Sequence, residues 1–333
     1  MLVITKVIVG VEKMSNVVVN IPDLKKDYIE DLKTLKHKRD EAEMQNEIYR
    51  QNEIIDLERD IDNIRKSING NTEVARSVKE TALDASYVIE NIYKDASGYG
   101  KALSEAYERY DIKEMLINVI EEYANLTAMR EIYNLITDHV TVFDEINIRD
   151  EIKFMKDRAD RVKDVLISAL LEAKMNEEKQ KELASVIWDK LLYYYEIEDA
   201  SGRLIERLKD IQLELETDLD LPRGAYEVLS EAWNGMDENI RHALDNIDRI
   251  RQKLGQEAYD EEETIDTAKL DFFDIFNDLV EIYNYFSVTQ AYYNVICGDA
   301  YGICVRNFEY ELNKAKENIK QIINIAIDYF TQS

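Results

Sequence analysis

Two prolines and 10 glycines are the only strong helix breakers in this 333-residue chain, and that scarcity restricts its folds more than any motif does. Proline removes a backbone donor, and glycine costs about 1 kcal/mol in a helix interior. A chain nearly free of both can therefore stay helical over long stretches. Glu, Lys, Leu, Ile and Ala are abundant, in keeping with the same class. The expected fold is mainly α, with long antiparallel helices in an elongated helical bundle, coiled-coil segments and a small N-terminal β-hairpin.

Half of the glycines fall in or beside three copies of a short signature: Asp95-Ala96-Ser97-Gly98, Asp199-Ala200-Ser201-Gly202 and Asp299-Ala300-Tyr301-Gly302. At ordinary residue frequencies such a pattern arises on the order of 0.1 times in a chain of this length. Each copy reads as a turn, in which one helix ends, Gly takes the left-handed conformation, and a second helix leaves. The copies lie roughly 100 residues apart, but their flanks diverge. Divergent triplication and independent use of a favourable helix end both remain open.

In chain order, residues 2–11 and 17–21 are rich in β-branched side chains and predict a hairpin. Pro22 then opens a helix over 23–68, about 46 residues and roughly 70 Å long. Its C-terminal half carries Ile54, Leu57, Ile61, Ile64 and Ile68 at a 3-4-3-4 spacing, a coiled-coil seam and the candidate interaction surface. Further helices are expected over 72–96, 101–137, 149–200, 203–215, 222–232, 237–254, 264–296 and 305–330. The intervening turns include Asn234-Gly235, and residues 139–148 form another strand or loop candidate. The expected organisation is an arm at 1–21, an N-terminal helical bundle at 22–147, a middle helical hairpin at 148–221 and a C-terminal bundle at 222–333.

Net charge is −27, from 69 acidic and 42 basic residues, which opposes phosphate backbones and anionic lipid surfaces. No nucleic-acid partner and no membrane insertion are expected. No stretch reaches the run of about 20 apolar residues that a spanning helix needs, and the N-terminus lacks the layout of a signal peptide. A mature chain starting at or near Met1, cytoplasmic or virion-associated, is the expectation. Cys297 and Cys304 flank the third signature. They would lie about 10.5 Å apart on a continuous helix, too far for a disulfide, but could meet if Gly298 and Gly302 open a turn.

Reactive constellations are sparse. The three histidines, His37, His139 and His242, have no Glu three residues before them, as a di-iron bundle would require. There is no Gly-x-Ser-x-Gly elbow, phosphate-binding glycine loop, zinc spacing or calcium loop. No catalytic residue, cofactor or metal ligand is expected. Asp271-Phe272-Phe273-Asp274, with Asp278, resembles the aspartate-rich motif of helical terpene synthases, where such carboxylates bind magnesium and substrate diphosphate. The adjacent double Asp and a second metal motif are missing, and Asp271, Asp274, Asp278 and Glu281 also form the polar stripe opposite a Phe face. Trp233-Asn234-Gly235, followed by Tyr259 and Glu263, resembles the Trp-x-Gly turn and downstream signal of helical-hairpin substrates of type VII secretion. That resemblance implies a secreted effector.

The expectation that follows is a non-enzymatic structural or assembly protein. It would act through helix–helix contacts, with a protein partner or a second copy of itself, as a viral or microbial scaffold component does.

Overall fold

The computed structural model describes residues 58–331 except 110, 144, 172–175, 219, 258–269, 299–302 and 304. The expected hairpin, the long helix up to residue 57 (with Ile54 and Leu57), Asp299, Gly302 and Cys304 lie outside the described residues. Among the described residues the chain forms nine α-helices: α1 (58–70), α2 (Arg76–Arg109), α3 (Ile112–His139), α4 (Glu145–Leu171), α5 (Glu177–Leu192), α6 (Ala200–Thr217), α7 (Arg223–Gln252), α8 (Phe272–Ile296) and α9 (Arg306–Thr331). Two single π-helical turns, Tyr193–Ile197 and Lys253–Glu257, extend α5 and α7. The chain is mainly helical, as its composition predicts.

Helix starts follow local chemistry. Asp111 accepts a hydrogen bond from the Glu114 amide at 3.0 Å and caps α3, and Asn176 does the same for α5 through the Lys179 amide at 2.9 Å. Asp271 caps α8 through the amides of Phe273 and Asp274, and Pro222 stands just before the first residue of α7.

Helices α3 and α8 are apolar around most of their circumference and bury 16 residues each, so they occupy the centre. They pack on each other; α2 and α4 cover α3, while α7 and α9 cover α8. Helix α6 bridges α7 and α9. One continuous apolar cluster runs from Ile61 in α1 to Phe330 in α9, so the three expected helical units share a core.

Several expected turns are absent. Helix α2 runs unbroken through Asp95, Gly98 and Gly100, because Ile92, Tyr93, Ala96 and Ala106 are buried on both sides of the signature. That burial outweighs a glycine cost of about 1 kcal/mol each. At the second copy a break does occur, but Asp199, not Gly202, holds the left-handed conformation with φ 50°. Gly202 lies inside α6, where a Cβ would stand 2.5 Å from the Asp199 carboxylate.

Trp233-Asn234-Gly235 is likewise mid-helix, since α7 is continuous from Arg223 to Gln252. Gly235 serves packing: a Cβ there would come within 2.5 Å of the Tyr292 ring on α8. The hairpin turn on which the secretion-substrate resemblance depends is therefore not formed. The described residues of 139–148 form no strand; Val140 and Val142 are tucked into the core at the corner between α3 and α4, and Ile148 is buried within α4. The helix expected over 149–200 divides at the Asn176 cap and again at Asp199.

Candidate functional site

The interior carries charge, and the charge is organised around Glu121 of α3. This carboxylate is buried at 5% exposure; it accepts from the Tyr283 hydroxyl of α8 at 2.7 Å and pairs with Lys320 of α9 at 2.6 Å. Three helices are thus tied at one carboxylate. Burial, with Glu121 adding to it, pushes the Tyr283 hydroxyl far above the ordinary tyrosine range. For Lys320, burial is the largest single influence and works against the charge, but the hydrogen bond to Glu121 and the negative charge of Glu121 and its neighbours together outweigh it, and the amine is raised. Lys316, one turn earlier, sits 5.0 Å from the Tyr283 ring centroid, and burial lowers its amine. The space beside Glu121 is a cavity of about 10 Å³, room for a single water and no larger ligand.

Two residues along α3, Tyr123 turns toward α4. Its ring lies under both Lys156, at 4.6 Å, and Lys163, at 4.4 Å, while its hydroxyl donates to Glu281 of α8 at 3.3 Å. Burial first, then Glu281, pushes this hydroxyl well above its usual range. Lys163 is itself buried and held by Asp160 at 2.7 Å.

The aspartate stripe of α8 joins the same system. Asp271 is the cap; Asp274 pairs with Lys253; Asp278, 7% exposed, is held by Lys253 at 3.1 Å and Arg249 at 3.3 Å. Those cations come from α7 and its π-helical turn, so of the carboxylates that resemble a diphosphate-binding motif, Asp274 and Asp278 tie two helices together and Asp271 caps its own. Among the described residues no group of three or more His, Cys, Asp or Glu is placed to hold a metal ion. His139 pairs with Glu231 at 2.8 Å, and His242 stacks on Tyr285. Cys297 is half-buried at the end of α8.

Of the predicted interaction seam, Ile61, Ile64 and Ile68 are 3% exposed or less and belong to the chain's own core. Arg65 fastens that helix to α2 by donating to Ser86 Oγ at 3.1 Å, pairing with Glu90 and lying 4.3 Å over the Tyr87 ring. Over these two turns the seam faces inward. Of the signature residues, Asp95 and Gly98 lie along α2, while Asp199 and Gly202 lie at the start of α6; they form no common site.

A different surface lies beside α1. Ser67 Oγ accepts from the Phe143 amide at 2.9 Å, closing an open groove of about 800 Å³ lined by Asn63, Lys66, Gly70, Asn71, Thr141 and Val142. Phe143, 83% exposed, is one of its lining residues, and Ile146, 74% exposed, lies in the first turn of α4. Sequence reading placed these residues in a strand or loop candidate. The available signal was a large aromatic immediately after the last buried β-branched residue of a helix connection.

No known protein family, no curated protein and no solved structure matches this chain. Among the described residues no helix is long and apolar enough to cross a membrane.

Proposed function

We propose that this chain is a structural or assembly protein that associates with further copies of itself through its helical surface. The observation that carries this reading is the commitment of the buried charge. The buried Glu121 and Asp278 and the half-buried Glu281 each meet tyrosine hydroxyls or cations from neighbouring helices, in an interior with no ligand-sized space beside Glu121. Groups held in that way stabilise the arrangement of the helices, and an unpaired buried charge would cost several kcal/mol. Large apolar side chains left in solvent, Phe143, Ile146, Ile197, Leu213 and Tyr310 among them, are spread over several elements of the outer surface, where a partner could cover them. Sedimentation velocity on the purified chain, from low to high micromolar concentration, tests the reading. It predicts a reversible shift to species larger than one chain. A single monomeric species at every concentration contradicts it.

A further inference from the structure

We propose that Asn69 is a self-modifying site: its side-chain amide is lost to attack by the backbone nitrogen of Gly70, leaving aspartate or isoaspartate at the end of α1. The chemistry needs no enzyme, and it proceeds whether or not copies of the chain associate.

Asn followed by Gly occurs twice in the sequence, at 69–70 and 234–235. In such a pair no Cβ shields the glycine nitrogen, which can reach the asparagine side-chain carbonyl carbon. A bond from Gly70 N to Asn69 Cγ forms and the Cγ–Nδ2 bond breaks. The amide nitrogen leaves as ammonia, taking up the proton that Gly70 gives up. Water then opens the five-membered succinimide. Addition at Cγ gives aspartate; addition at the main-chain carbonyl carbon gives isoaspartate, whose backbone runs through the side chain. Nothing is oxidised or reduced, and water is the only co-reactant.

Both asparagines are exposed, so access to water does not separate them. The backbone does. Ring closure needs the ψ of the asparagine turned out of the helical range and the glycine N–H released from the helical ladder. Asn69 and Gly70 are the last two residues of α1, and the hydrogen bond that closes this end runs from the Asn71 amide to the Ser67 carbonyl at 3.0 Å. Ile68, fully buried, pins the helix just before them, so the residues beyond it unwind without moving a core side chain. Such an end opens at little cost. There is also room, since a Cβ on Gly70 would meet nothing within 4 Å. Asn234-Gly235 has none of these freedoms. It lies in the middle of α7 between the buried Ala232 and Met236, with the Gly235 carbonyl accepting from the Asn239 side chain at 2.6 Å and the Tyr292 ring against the glycine. Freeing that nitrogen means breaking a 30-residue helix inside the core. At position 69 the new carboxylate stands at the negative end of the α1 dipole, so the modified end holds its helical form less well.

The test incubates the full chain in mildly alkaline buffer made with heavy-oxygen water, then digests it for mass spectrometry; each event puts one heavy oxygen into the product carboxyl. A parallel sample unfolded in guanidinium chloride sets the clock, and incubation continues until both sites are at least half converted there. In the folded chain, conversion at position 69 should outpace that at position 234 by about 30-fold or more, because α7 opens only with much of the core. Gly70→Ala, which has room for its methyl group and is the better helix former, should slow conversion at position 69 about tenfold or more. Equal rates at the two positions in the folded chain, an amide retained at position 69, or an undiminished rate in Gly70→Ala overturns the proposal.

Discussion

Tyr283 donates its hydroxyl hydrogen to Glu121 across 2.7 Å, linking the two helices that bury most on all sides. The pair is 162 positions apart in sequence, and Lys320 completes it from a third helix.

Removing one member of this triad should cost less than removing its centre. Tyr283→Phe leaves Glu121 with Lys320 and loses one charge-assisted hydrogen bond, about 1.5–3 kcal/mol. Glu121→Ala strands the hydroxyl and the amine together and should cost about 3–5 kcal/mol, near the lower figure because Lys320 is partly exposed and can rehydrate. Urea denaturation of both variants measures the difference.

Alkaline pH should unfold the protein steeply. Burial pushes the hydroxyl of Tyr93 up to about 12 from 10.0, and it pushes those of Tyr123, Tyr195, Tyr283 and Tyr292 higher still. The folded state therefore holds these protons more tightly than the unfolded chain. Their contribution is complete below pH 10 and is lost as pH rises toward the folded values, at about 1.4 kcal/mol per pH unit for each group. Phenolate absorbance followed together with circular dichroism should show these tyrosines ionising only as the helices melt.

Two glycines should respond in opposite directions to alanine. At Gly98 a Cβ meets nothing within 4 Å inside α2, so Gly98→Ala should stabilise by about 0.5–1 kcal/mol. At Gly235 the Cβ would stand 2.5 Å from the Tyr292 ring, so Gly235→Ala should destabilise by about 1–3 kcal/mol despite the better helix former. Thermal midpoints of the two variants decide the signs. Both glycines would behave otherwise if they closed helix-ending turns.

Ile64→Ala should destabilise the chain by about 2–5 kcal/mol, as a cavity in its own core. Association of the molecules that remain folded should be unchanged. Calorimetry and sedimentation on the same sample separate the two effects, and a variant that keeps its stability but loses association would return Ile64 to an intermolecular seam.

What the sequence reveals is the part governed by periodicity. The last two helices, expected over 264–296 and 305–330, run Phe272–Ile296 and Arg306–Thr331; the 3-4 spacing of Ile61, Ile64 and Ile68 marks an apolar helix face, but not that the face packs on the chain's own core and not on a partner. Turn residues misled where packing overrode them. Gly98 and Gly235 resemble breaks, but a penalty near 1 kcal/mol is small beside the burial of Ile92 and Tyr93, or of Met236 and Ile240. Alternating Val140 and Val142 resemble a strand, and only the fold around them shows a helix corner. The Glu121 triad was illegible for another reason: nothing local links a glutamate, a tyrosine and a lysine on three separate helices until those helices pack. The groove likewise exists only once α1 lies against the 140–143 connection.

The assembly reading is tested most directly by one sedimentation velocity comparison of the wild type and Tyr283→Phe, both under conditions where circular dichroism shows them folded. The account predicts reversible, concentration-dependent association in both, because the Tyr283–Glu121 pair lies inside one chain. A single monomeric species of the wild type at every concentration would contradict it.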